Sequence, residues 1–395
     1  MVKYASRLDS IPPYLFGEIA RIKAKAISEG KDLIDFGIGD PDQPTPQAII
    51  DELSAAANNP ETHRYDESDY GWPEFIQAAA KWFGRRFGVE VDASKGEVLE
   101  LIGSKEGLAH LAWAYIDPGD ISLVPEPGYT VYKVNTAMAG GTPYVMPLLA
   151  ENGFLPDLSA IPSDVARKAK LLFINYPNNP TGATASLEFF ADVVAFAKDY
   201  DIIVCHDAAY SEVSFDGYRA PSFLQAPGAM DVAIEMHSLS KAYNMTGWRV
   251  GFAVGNADIV WGLNKLKSNL DSKQFPALMS ASAHALLHIN GNQETLSIYR
   301  KRRDIVTDGL NSMGWNLEKS KATLYIWVPV PPGYTSIDFA KTLLEKAGVL
   351  VVPGVGYGQY GEGFVRFSLT VSGDKNGERV TEAIERIKQN VEINW

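Results

Sequence analysis

Short apolar runs alternate with longer amphipathic stretches between residues 98 and 254: "VLELIG" (98–103), "ISLV" (121–124), "LLFINY" (171–176), "IIVCHD" (202–207), "VAIEMHS" (232–238) and "RVGFAV" (249–254). Runs this short and this apolar predict strands covered on both faces. Residues 104–116 and 186–200 carry the helical spacing of apolar positions. Strands separated by such helices predict an α/β fold with three layers, a mostly parallel sheet between two helical layers. Further on, 294–313 predicts a long charged helix. "KATLYIWVPV" and "FVRFSLTV" predict strands, and "SIDFAKTLLEKAG" and "ERVTEAIERIKQNVEI" predict helices, together a smaller α/β unit.

Open sheets of this kind bind ligands beyond the carboxyl ends of their strands, so the residues just past each run are the candidates for chemistry. Ser104 and Lys105 follow the first run and open a helix. Tyr129 follows the second. "PNNPTG" follows the third and presents Asn179. The fourth ends in Asp207, with Tyr210 expected one helical turn on. The fifth delivers Ser238, Ser240 and Lys241, and Arg249 begins the sixth. Hydroxyls and cations at a helix start suit a phosphate. An aromatic ring, a carboxylate and an amine suit a flat heteroaromatic aldehyde. The ligand joining both is pyridoxal 5′-phosphate, with Lys241 as its covalent partner.

Composition narrows the classes. A chain of 395 residues exceeds one small core and predicts two domains. A net charge of −12 without a basic block argues against nucleic acid. No apolar run approaches the ~18 residues that a membrane span needs. Cys205 is the single cysteine, which fits a reducing cytoplasm.

Through "NNPTG", "HDAAY", "SLSKAYNMTGWRVG" and "VRFSL", in that order over residues 35–369, the sequence resembles the fold-type I pyridoxal-phosphate enzymes, specifically the class I/II aminotransferases. The resemblance implies that Lys241 links to the cofactor and moves the proton, and that Asp207 keeps the pyridine nitrogen protonated. It implies that Asn179 and Tyr210 bond the phenolic oxygen and that Tyr129 stacks on the ring. Ser104, Lys105, Ser238, Ser240 and Arg249 would hold the phosphate. Arg366 would grip the substrate carboxylate in a two-pronged fork, beside Ile38 and Gly39. Tyr65 would reach across a homodimer to the partner's phosphate. The same resemblance implies a large domain over 47–287 and a small domain from 1–46 and 288–395.

"LIGSKEGLAHL", "PLLAENGFLPDLSAIP" and the long stretch from "AYSEVSFDGYRAPSF" to "GWRVGFAVGN" resemble the LL-diaminopimelate aminotransferases. These would exchange an amino group between glutamate/2-oxoglutarate and tetrahydrodipicolinate. Relatives commonly carry an acidic residue directly before the glycine of the Tyr65 segment, where this chain has Tyr70 before Gly71. Glu67 and Asp69 are therefore the expected readers of the distal ammonium, with Lys105 for the distal carboxylate. An aspartate, alanine or aromatic aminotransferase, or a C–S lyase, would keep the same central residues.

Overall fold

A computed structural model of the chain describes residues 2–9, 11–12 and 15–393. Its strands are β1 (Ile34–Asp35), β2 (Val98–Leu101), β3 (Ile121–Glu126), β4 (Thr142–Pro147), β5 (Ala169–Ile174), β6 (Ile203–Asp207), β7 (Ala233–Ser238), β8 (Gly251–Gly255), β9 (Tyr325–Pro329), β10 (Val349–Leu350), β11 (Val352–Pro353) and β12 (Phe364–Ser368). Seven of them form one sheet in the order β2-β8-β7-β6-β5-β3-β4. All six predicted runs lie in it. The strand missing from the sequence pattern is β4, an edge strand with two prolines and a partly exposed face. Edges tolerate proline and need little apolar signal.

Successive residues of this sheet feed opposite cores, as a pleat of period two requires. Leu172 and Ile174 pack with Phe83, Phe190 and Met279 on one side, while Leu171 and Phe173 pack with Leu111, Tyr132 and Leu263 on the other. The Leu187–Tyr200 helix begins at Ser186, whose hydroxyl accepts the Phe189 amide. A separate core gathers Ile34 and Phe36 with Leu324, Val349, Phe367 and Ile387. Its strands form the antiparallel sheet β11-β12-β9 and the parallel pair β1-β10. The long charged helix spans Gln293–Asn311. No described helix is long and apolar enough to cross a membrane.

Within the large sheet β8 runs against its neighbours β7 and β2. Its first residues therefore start at the rim where the parallel strands end, which brings Arg249 to the same edge as Asp207 and Ser238. Tyr210 departs from the expectation of a helical turn. It stands in a non-helical turn closed by the Val213 amide on the Tyr210 carbonyl at 3.0 Å.

Beneath that rim lies a fully buried charged group. Glu235 on β7 has no exposure and accepts from His206 Nδ1 (2.8 Å), His237 Nε2 (2.7 Å), Ser222 Oγ (2.9 Å) and the Phe223 amide (2.8 Å). His206 Nε2 faces the Tyr176 carbonyl at 2.9 Å. Both nitrogens of that ring thus meet oxygen atoms of buried groups.

Burial acts to raise the Glu235 carboxyl, but the charge and hydrogen bond of His206, followed by those of His237, outweigh it and hold the group below the usual range. Replacing Glu235 with Gln should destabilise the fold by about 3–5 kcal/mol at pH 7, measured by urea unfolding. A carboxyl depressed by folding stabilises above its unfolded value, and that stability fades as pH falls toward the folded one. The gap between wild type and variant should therefore persist at pH 5 and narrow only below about pH 4.

Candidate active site

A cavity of about 320 Å³ opens at this rim. Lys241 projects into it from the short Leu239–Ala242 helix that follows β7, and its Nζ donates to the Gly39 carbonyl at 2.6 Å. Burial pulls its ammonium down to about 8; Asp40 opposes that fall, and the cations of Arg366 and Arg249 add to it. At the cavity's inner wall Asp207 is 5% exposed, and Tyr132 Oη donates to its Oδ2 at 2.8 Å. Burial pushes the Asp207 carboxyl up, and Tyr132, the Ala209 amide and the charges of His206 and His237 pull it back. A buried carboxylate so placed favours a cationic N–H in front of it.

Asn179 and Tyr210 define one side. The Asn179 amide donates to Asn175 Oδ1 at 2.8 Å, and Asn179 Oδ1 accepts from Arg366 Nη1 at 2.9 Å. Its side-chain NH₂ remains the donor for a ligand. Burial, with Tyr325 beside it, pushes the Tyr210 phenol well up, so it stays a protonated donor. Tyr129 also lines the cavity, its ring edge-on to Tyr132 at 6.0 Å.

The outer end is built for an anion. The Ser104–Tyr115 helix starts there, directly after Gly103, whose φ is +75°. A Cβ at Gly103 would lie 2.4 Å from Arg249 Nη2, so only glycine lets the guanidinium rest over the helix start. Arg249 itself has φ +57°, and its Nη1 donates to the Thr246 carbonyl at 2.8 Å. Ser238 caps the lysine helix by accepting the Ser240 amide at 3.2 Å. Strain of this kind concentrates at functional sites.

The structure gathers Ile38, Gly39, Ser104, Lys105, Tyr129, Asn179, Asp207, Tyr210, Ser238, Ser240, Lys241 and Arg249 around this one cavity. Arg366 lies one layer behind. It has no exposure, its Nη2 donates to the Gly37 carbonyl at 2.6 Å, and its guanidinium carbon sits 4.0 Å from the centre of the Tyr325 ring. Tyr65, Glu67 and Asp69 lie outside the cavity of their own chain, exposed on the surface. Tyr70 turns inward toward Gly96. Their loop is held rigid: Glu100, almost fully buried, accepts the Trp72 amide at 2.8 Å and the Gln274 amide at 3.1 Å. Gly71, at φ +128°, leaves no room for a Cβ against Glu100.

Sequence reasoning missed Tyr132, Asn175 and Tyr325. Asn175 carried a signal, as an amide ending an apolar run; its Nδ2 donates to the Asp207 carbonyl at 2.7 Å. The two tyrosines read as core aromatics and gave none.

The donor set fits pyridoxal phosphate. There is a helix start with hydroxyls and a guanidinium for the phosphate, a buried carboxylate for the ring nitrogen, two neutral donors for the phenolic oxygen, and an amine of lowered basicity.

The family model for aminotransferase class I and II matches residues 31–387. An LL-diaminopimelate aminotransferase of Moorella thermoacetica is 58% identical over 98% of this chain and 97% of its own. Another, from Syntrophobacter fumaroxidans, is 56% identical over 98% of both. Among solved structures, substrate-bound BacF of Bacillus subtilis superimposes with a TM-score of 0.91 at 38% identity, covering 98% of each chain. With its fold, its lysine-bearing cavity and these similarities together, the chain belongs to the class I and II aminotransferase family.

Proposed function

We propose that this protein is a pyridoxal-phosphate-dependent aminotransferase that uses LL-diaminopimelate, exchanging its amino group with 2-oxoglutarate. The observation that carries the chemistry is Lys241 Nζ facing the same cavity as Asp207, with Arg366 packed behind the cavity residue Tyr325. The substrate follows from relatives above 50% identity that span nearly the whole chain and carry that name.

When bound, the cofactor supplies an aldehyde that joins to amines and a ring that withdraws electrons from the substrate's Cα. The chain supplies the rest. Lys241 Nζ takes the Cα proton and returns it, a task that burial favours by lowering the basicity of its ammonium. Asp207 keeps a proton on the ring nitrogen. Asn179 and Tyr210 donate to the phenolic oxygen, and Tyr129 covers the ring face. Ser104, Lys105, Ser238, Ser240 and Arg249 hold the phosphate. Arg366 exchanges its bond to the Gly37 carbonyl for the substrate carboxylate, close to Ile38 and Gly39. We place a large domain over 47–287 and a small one over 1–46 with 288–395.

We further propose a homodimer in the cytoplasm with shared sites. Tyr65 is 83% exposed, with Trp261 (53%) and Phe275 (44%) also open to solvent. A second copy would bring Tyr65 to the partner's phosphate and Glu67 and Asp69 to the distal ammonium, with Lys105 for the distal carboxylate.

Borohydride treatment with pyridoxal phosphate should fix the cofactor to Lys241 in the wild type and to nothing in Lys241→Ala, as peptide masses will report. Capture should quicken between pH 7 and 9, as Nζ loses its proton near 8. Arg366→Lys should weaken carboxylate substrates by about 2–5 kcal/mol with cofactor affinity little changed. Unaltered amino-acid affinity would leave Arg366 a purely structural role. In a donor panel followed by cofactor absorbance, LL-diaminopimelate should outrun aspartate and alanine. Glu67→Gln with Asp69→Asn should narrow that lead. A wild type that prefers aspartate overturns the substrate assignment and leaves the aminotransferase in place.

A further inference from the structure

Tyr325 is 2% exposed and lines the cavity. It stands on β9, in the small sheet, yet its Oη lies 2.8 Å from Tyr210 Oη in the turn after β6. This hydrogen bond crosses from one sheet system to the other. The same ring packs beneath Arg366, its centre 4.0 Å from the guanidinium carbon. The register explains why. Arg366 pairs with Trp327 and Ser368 with Tyr325, so Tyr325 and Arg366 are diagonal neighbours on one face of β9–β12. The Tyr325 hydroxyl also fills the space above Gly39, where a Cβ would sit 2.0 Å away. Gly39 is the residue whose carbonyl holds Lys241.

The backbone leading into Tyr325 is strained. Thr323 has no exposure and adopts φ +76°, a rare conformation for a β-branched residue. Its Oγ1 accepts the Tyr325 amide at 3.1 Å. Surroundings that enforce such a conformation fix where the ring points.

We propose that Tyr325 is a positioning residue that couples the carboxylate fork of Arg366 to the phenolic donor Tyr210. The proposal rests on the pyridoxal-phosphate reading. A phenolic oxygen on the ligand accepts only, so Tyr210 must spend its one hydrogen there. Tyr210 then accepts from Tyr325, whose single hydrogen points back at it. An O–H that also accepts is a stronger donor. The Tyr325 ring meanwhile packs against the guanidinium at 4.0 Å, so one side chain touches both the carboxylate end and the proton-handling end. The charged and titratable groups acting on Tyr210 are Tyr325 from β9, Arg366 from β12 and Asp207 from β6.

Tyr325→Phe keeps the ring and removes only the hydroxyl. A weaker donor leaves the phenolic oxygen more basic. In that variant the midpoint pH of the bound cofactor's absorbance change should rise by about half to one unit. The KM for the amino donor and the affinity of apoprotein for pyridoxal phosphate should both stay within about threefold, while kcat falls about three- to tenfold. Tyr325→Leu should in addition raise KM. Adding Tyr325→Phe to Tyr210→Phe should move the midpoint no further than Tyr210→Phe alone. An unmoved midpoint in Tyr325→Phe, or two shifts that add in full, overturns the coupling. A wild type that binds no pyridoxal phosphate and shows no such absorbance overturns the cofactor reading instead.

Discussion

A guanidinium with no exposure holds three separate parts of this chain together. Arg366 leaves β12 and bonds Asn179 after β5, the Gly37 carbonyl after β1, and the face of Tyr325 on β9. A charge taken out of water needs nearly all its donors matched and its flat faces covered. That requirement fixes the distance between the large sheet and the small ones at the point where they meet. It also shapes the cavity, since Asn179 and Tyr325 line it and Gly37 adjoins Ile38, which lines it too.

The loop over residues 36–46 shows how far the constraint spreads. Arg302, fully buried on the long helix, donates to both Asp42 oxygens at 2.9 and 2.8 Å and to the Leu369 and Val371 carbonyls. Thr45 Oγ1 donates to the Asn244 carbonyl, and Asn244 Nδ2 donates to the Pro44 carbonyl, so the loop is tied to the segment just after Lys241. The rigidity of this loop therefore comes from side chains at distant positions, more than from its own glycines and prolines. Pre-ordering of this kind lowers the entropy lost when a small substrate binds.

The rim has a second layer of order beneath it. Glu235, His206 and His237 form a buried charged array directly under Asp207 and Ser238, one residue away along β6 and β7. In a pleated strand, residues one apart point to opposite faces. Each rim side chain that faces the ligand thus follows a histidine that faces the core. The charges of both histidines act on Asp207 in the sense that keeps it ionised, so the buried array and the site share one electrostatic problem.

Much of this was legible beforehand. The two-faced burial of β5, β6 and β7 follows from runs such as "LLFINY" and "IIVCHD", because a strand covered on both sides has no place for polar residues until it reaches the rim. Rim chemistry at Asp207, Lys241 and Asn179 was readable for the same reason: polarity reappears where the strand ends. The edge strand β4 was not, since its prolines and half-exposed face blur the pattern. Nor were Tyr132 and Tyr325, which look like any core aromatic until their hydroxyls are seen 2.8 Å from Asp207 and Tyr210. The sequence by itself determined which residues are polar where an apolar strand stops, because that is a local property of composition. Only the tertiary structure decided which distant hydroxyls, carbonyls and rings meet them, because those partners lie 75 and 115 residues apart and only the packed fold brings them within a hydrogen bond.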